Sequence, residues 1–214
     1  LEVFFNRDEL KNRPIADPPS LRETGDSSFL SPLDPKGGGT WMIANNHGMV
    51  VCLLNKWELK DRVIEEPQSR GKLVWSLGDV SSPDEIEAQL VGLESYQAFT
   101  LVALSRTNDR CWEWDGEKLS SDNAPSFLTS SSFQFEEVRK ARETCHAKGL
   151  VGEELHASPW EPPSANSIRM NRPDAQTWSR SYLKINEKIT WEYVAEQPDL
   201  VGESTRTITE LALR

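Results

Sequence analysis

Apolar residues in this chain cluster in short runs, and most of these runs have the alternation or the β-branched content of strands rather than a helical period. Leu1-Glu2-Val3-Phe4-Phe5 reads as a strand over 1–5. Residues 6–36, broken by Pro14, Pro18, Pro19, Pro32 and Pro35, read as a long loop. A hairpin follows, with strands over 40–44 and 49–54 and a turn at Asn45-Asn46-His47-Gly48, where Asn and Gly supply positive φ. Helices are predicted over 70–77 and 84–90, the second entered through Ser82 as cap and Pro83 in the first turn. Strands return over 97–105 and 111–114, turning at Asp115-Gly116. The clearest helical period lies over 135–148, where Phe135, Val138, Ala141, Arg142 and Cys145 share a face and Gly149 is a stop. A proline-rich link over 158–163 precedes strands over 167–171, 177–185 and 188–194, the last two joined at Asn186-Glu187. Hairpins at both ends with helices between them predict an α+β layered fold with antiparallel sheets, not a βαβ alternation. No internal repeat is present, so the 214 residues read as a single domain.

Composition narrows the function classes. Lys and Arg total 24 against 34 Asp and Glu, a formal charge of −10. An acidic chain without a basic run is a poor partner for nucleic acid, whose affinity rests on positive charge. The longest apolar runs, such as 49–54, are far too short for a membrane-spanning helix. Three scattered cysteines, Cys52, Cys111 and Cys145, give neither a disulfide framework nor a metal-ligand spacing, so no metal site is expected. Reduced thiols and the lack of a glycosylation sequon point to a cytoplasmic protein. His47 is expected to cap its turn, and His146 to meet the negative end of its helix dipole. Eight tryptophans (Trp41, Trp57, Trp75, Trp112, Trp114, Trp160, Trp178 and Trp191) read as packing residues, with an aromatic ligand groove as the sharper alternative.

One ordered series of motifs reaches further. Asn6-Arg7-Asp8-Glu9 follows the first strand, then come Arg13-Pro14 and Asp17, Gly38-Gly39-Thr40-Trp41, Asn46-x-Gly48, and Leu54-Asn55. Ser69-Arg70-Gly71, Trp114-Asp115-Gly116, the 128–132 run, His156, Met170, Arg172, Asp174-Ala175 and Thr177-x-Ser179 continue it. The series resembles the NRDE family, also called the transport and Golgi organisation protein family, over nearly the whole chain. That family is related in fold to the N-terminal-nucleophile hydrolases, so the resemblance implies an αββα sandwich of two mostly antiparallel sheets flanked by helices. It also implies a further strand, carrying a Met-Cys start, ahead of 1–5, so that one side of the 1–5 strand is expected to be free of a partner.

Two functional readings follow from the resemblance. In the first, the protein is a non-enzymatic ligand carrier or trafficking factor, with haem or a lipid- or acyl-coenzyme-A-related molecule as cargo and no resident cofactor. In the second, it is an amidohydrolase or acyltransferase whose N-terminal cysteine nucleophile lies upstream of residue 1, with Arg7, Asp8 and Asn55 orienting groups and stabilising charge. Leu1 is no nucleophile, and Cys52, Cys111 and Cys145 have no α-amino group beside the thiol, so the carrier reading is preferred. The residues expected at the ligand are Asn6, Arg7, Asp8, Glu9, Trp41, Asn55 and His156. Arg7, Asp8 and Asn55 are expected to converge on one cleft. The same Asn-Arg-Asp-Glu run is equally readable as a hydrogen-bonded corner in which Arg7 pairs with a carboxylate.

Overall fold

The computed structural model describes residues 1–57, 64–158, 164–196 and 204–214. Two antiparallel sheets lie face to face. One is a seven-stranded meander of β2 (Asp17–Thr24), β3 (Ser27–Leu33), β4 (Met42–Asn45), β5 (Val50–Asn55), β6 (Phe99–Leu104), β7 (Arg110–Trp114) and β8 (Leu119–Asn123), in that spatial order. The other has four strands, β1 (Glu2–Leu10), β9 (Ala175–Ile185), β10 (Lys188–Glu196) and β11 (Ser204–Ala212), also in that order. Among the described residues there are four α-helices, α1 (Arg70–Ser76), α2 (Pro83–Gln89), α3 (Phe135–Ala147) and α4 (Gly152–Ala157), and a short 3-10 turn over Leu93–Ser95.

The apolar run 49–54 shows how the layers form. It lacks hydrophobic–polar alternation because both of its faces are buried. Val50 and Cys52 join Met42, Ala44, Leu183 and Trp191 in a core between the sheets. Val51 and Leu53 point the other way, into a second core with Leu73 and Val74 of α1, Leu77 just after it and Ile86 of α2. The seven-stranded sheet is therefore covered by a sheet on one face and by helices on the other. On the four-stranded sheet, α4 packs against β1 and β9.

Several elements match the expected ones, and the differences have physical reasons. Ser82 caps α2, its hydroxyl accepting from the Glu85 amide at 3.3 Å, with Pro83 in the first turn. The loop expected over 6–36 is instead the rest of β1 plus the β2–β3 hairpin. Its prolines are tolerated because β2 is an edge strand whose register shifts between Asp17 and Ser20, the stretch holding Pro18 and Pro19. Pro32 lies beyond the two residues of β3 that pair with β4, so it removes no bond from that ladder. The strand expected over 167–171 is reduced to isolated bridge residues, Arg169 and Asn171, the latter opposite Gln176. The sequence pattern had not marked β8, β11 or α4; β8 is largely exposed and polar, and β11 alternates between exposed and half-buried positions with few large apolar residues. Apart from Ser158, the proline-rich link lies outside the described residues, as does Trp160.

In the β4–β5 turn the expected role of His47 passes to Asn45. Its Oδ1 accepts from the amides of His47 (3.2 Å) and Met49 (3.1 Å), while its Nδ2 donates to the Val80 carbonyl at 2.7 Å. Gly48 sits at φ +79, and His47 lies 2.9 Å from the Ser27 hydroxyl through Nε2. His146 closes the last turn of α3 as expected and stacks on Phe127 with ring centroids 4.9 Å apart.

Candidate functional site

β1 pairs with β9 along its whole length and with no other strand among the described residues. Along its open edge runs a cleft of about 840 Å³. The end of β5, the start of α1, the 125–130 segment and α4 complete the walls. Asn6, Arg7, Asp8, Glu9, Trp41, Asn55 and His156 all line it.

Alternation along β1 sends the Asn-Arg-Asp-Glu run to two different neighbourhoods. Asn6 faces α4. Its Nδ2 donates to the main-chain carbonyls of His156 and Ile168, both at 3.0 Å, and its Oδ1 lies 2.9 Å from His156 Nδ1. Asp8 faces the same side, accepting from Thr177 Oγ1 at 2.6 Å and from Arg142 Nη2 at 3.3 Å. Arg7 and Glu9 turn toward the loop after β3. There Arg7 Nη2 lies 3.8 Å from both Glu9 Oε2 and Asp34 Oδ1, with its guanidinium carbon 4.5 Å from the Trp41 ring centroid. Arg13 closes this cluster, donating to Asp34 and lying 3.5 Å from Glu9. Arg7, Asp8 and Asn55 thus share one cleft, but Arg7 and Asp8 serve separate networks.

The charges balance within each network. Burial pulls Arg7 below its usual value, against the opposing pull of Glu9 and Asp34. Burial pushes Asp34 up, but the Arg13 hydrogen bond and the charges of Arg13 and Arg7 outweigh it and leave it low. Asp8 is crowded by protein yet keeps about 26% of its side chain exposed. That crowding raises its pKa, with Arg142 and Thr177 pulling the other way. Arg142 reaches four acceptors: Thr129 Oγ1 (2.9 Å), the Ser130 carbonyl (3.4 Å), Asp8 and the Ala165 carbonyl (2.9 Å). Four buried donors on residues lining the cleft, Arg7 Nη1, Arg13 Nε, Trp41 Nε1 and Arg142 Nε, have no hydrogen-bond partner among the described residues.

A family model described as Transport and Golgi organisation 2 matches residues 1–160. The chain belongs to that family. No curated protein matches it by sequence. Among solved structures it is similar to an arginine-to-leucine variant of conjugated bile acid hydrolase from Clostridium perfringens. The TM-score is 0.50 at 12% identity, covering 100% of this chain and 89% of that one. A cysteine-to-alanine variant of the same hydrolase gives 0.49 at 10% identity, over 100% and 88% of the two chains. The family member described here thus has an N-terminal-nucleophile-hydrolase-like sandwich.

Within this fold Cys52 lines the cleft, but burial pushes its thiol up to about 12. Cys111 is pushed up to about 11, chiefly by burial. Neither is a thiolate at neutral pH, so neither is a ready nucleophile. Among the described residues no group of three or more His, Cys, Asp or Glu could hold a metal ion. No described helix is long and apolar enough to cross a membrane. Sequence reasoning missed Asp34 and gave Arg142 only a place on a helix face. For Arg142, a signal existed in a guanidinium set on the apolar side of its helix.

Proposed function

We propose that the cleft along β1 binds a small amphipathic molecule and that this family member is a non-enzymatic carrier or trafficking factor on a hydrolase-like fold. Haem and lipid- or acyl-coenzyme-A-related molecules are the cargoes to test. The observation that carries this reading is the composition of the cleft. Its volume, about 840 Å³, is in the range of small-molecule sites. Its walls set Trp41, Leu53, Trp57 and Leu104 beside Arg7, Arg70 and Arg142, pairing apolar surface with fixed charge.

The test is a titration of the protein with haem, followed by absorbance, and with palmitoyl-coenzyme A, followed by calorimetry. A panel of acyl amides and acyl-coenzyme A esters is assayed for turnover in parallel. Saturable binding of one cargo at 1:1 without turnover is expected. Amide or thioester cleavage by the protein would replace the carrier with an acyl-transferring enzyme, and absence of saturable binding to every cargo would end the carrier reading.

A further inference from the structure

Among the described residues, charge in the cleft wall is paired with one exception. Arg7 and Arg13 face Glu9 and Asp34, and Arg142 faces Asp8. Glu2, at the far end of β1, pairs with Lys184. Arg70, across the cleft at the start of α1, has no carboxylate partner among the described residues. Its Nη1 donates to the Ala98 carbonyl at 2.7 Å, and its guanidinium carbon sits 5.9 Å from the Trp57 ring centroid. Trp57 is 39% exposed, a large apolar surface for a residue at the mouth of a cleft. A guanidinium that gives up water without gaining a counter-charge loses stability, and here burial lowers Arg70 to about 10. In a chain of net charge −10 this is a local excess of positive charge where the apolar wall begins.

We infer that Arg70 is the anion-binding subsite of the cleft, receiving a carboxylate or phosphate oxyanion while Trp57 covers the adjoining apolar part of the same molecule. A guanidinium with one edge fixed on Ala98 presents its remaining N–H groups as a fork suited to two oxygens of one anion. The aromatic face beside it binds the first carbons of a chain or ring. This inference rests on the carrier reading and adds its polarity: the ligand is an anionic amphiphile, oriented with its head at α1.

The test uses calorimetric titration of the 214-residue chain with dodecanoate, dodecyl phosphate and neutral dodecanol, each below its aggregation limit, on the wild type, R70Q and R70K. The wild type is expected to bind at least one anion tenfold or more tightly than dodecanol. R70Q should lose at least tenfold for that anion and less than twofold for dodecanol, with R70K between the two. A preference for dodecanoate or for dodecyl phosphate identifies the oxyanion. Melting temperatures report whether each variant is folded. If R70Q is not, R70K carries the test and must weaken the anion at least threefold while leaving dodecanol unchanged. Equal loss for anion and alcohol, or no loss, overturns the Arg70 subsite. Dodecanol binding as tightly as the anions overturns it while leaving the carrier reading intact. If none of the three binds the wild type, the subsite is overturned, and the haem and palmitoyl-coenzyme A titrations decide separately whether the carrier reading also falls.

Discussion

His156 shows how a side chain can line a cleft and still be committed elsewhere. Asn6 holds its Nδ1, Phe4 stacks on its ring with centroids 5.6 Å apart, and burial, aided by the Arg180 charge, drives its pKa to about 4. The unfolded chain takes up a proton here near pH 6.5, whereas the folded chain resists until about 4. The stability that depends on neutral His156 is therefore complete above about pH 6.5 and is lost as pH falls toward 4, by up to about 3 kcal/mol. Urea unfolding at pH 7, 5.5 and 4.5 should show this slope, and H156Q should flatten it. An equal slope in H156Q would assign the acid sensitivity to other groups. The sequence marked His156 through its motif, but only the fold shows Asn6 as its partner, 150 residues away.

Elements are joined here by a few specific contacts. Arg142 links α3 to β1 through Asp8, 134 residues away, and its two terminal nitrogens also donate to the 129–130 segment and Ala165. R142A would leave Asp8 with Thr177 alone and take the donor from two carbonyls, at a cost of about 1–3 kcal/mol. R142K keeps the charge but cannot reach four acceptors with one ammonium, so rescue should be partial, as chemical denaturation would show. Gly39 joins the loop before β4 to α1. A Cβ there would lie 2.4 Å from the Gly71 carbonyl carbon and 2.7 Å from the Lys72 nitrogen, both main-chain atoms. G39A must push α1 away and break the 3.0 Å bond from the Thr40 amide to the Gly71 carbonyl. A loss of about 1–3 kcal/mol is expected in thermal or urea melts. An unchanged melting temperature would show that α1 can move freely.

For the whole molecule, alternation, caps and turn residues were enough to mark the β4–β5 hairpin, α1, α2, α3 and the β9–β10 hairpin. Those features depend on neighbours within a few residues, so local chemistry carries them. The motif series added the family, the sandwich and a list of residues that do lie together around one cleft. The tertiary structure decided what each face meets. A period of two says that Arg7 and Glu9 share a side, but not that Asp34 and Trp41 wait there, nor that Asn6 and Asp8 face α4 and Arg142 on the other. It also decided that 6–36 is strand and hairpin, because prolines break a ladder only where a donor is needed, and β2 sits at an edge. Pairing of β1 with β9, the sorting of 49–54 into two cores and the placing of Arg70 on the cleft wall all depend on segments far apart in sequence. Burial and charge balance are properties of the assembled surface, and no local pattern contains them.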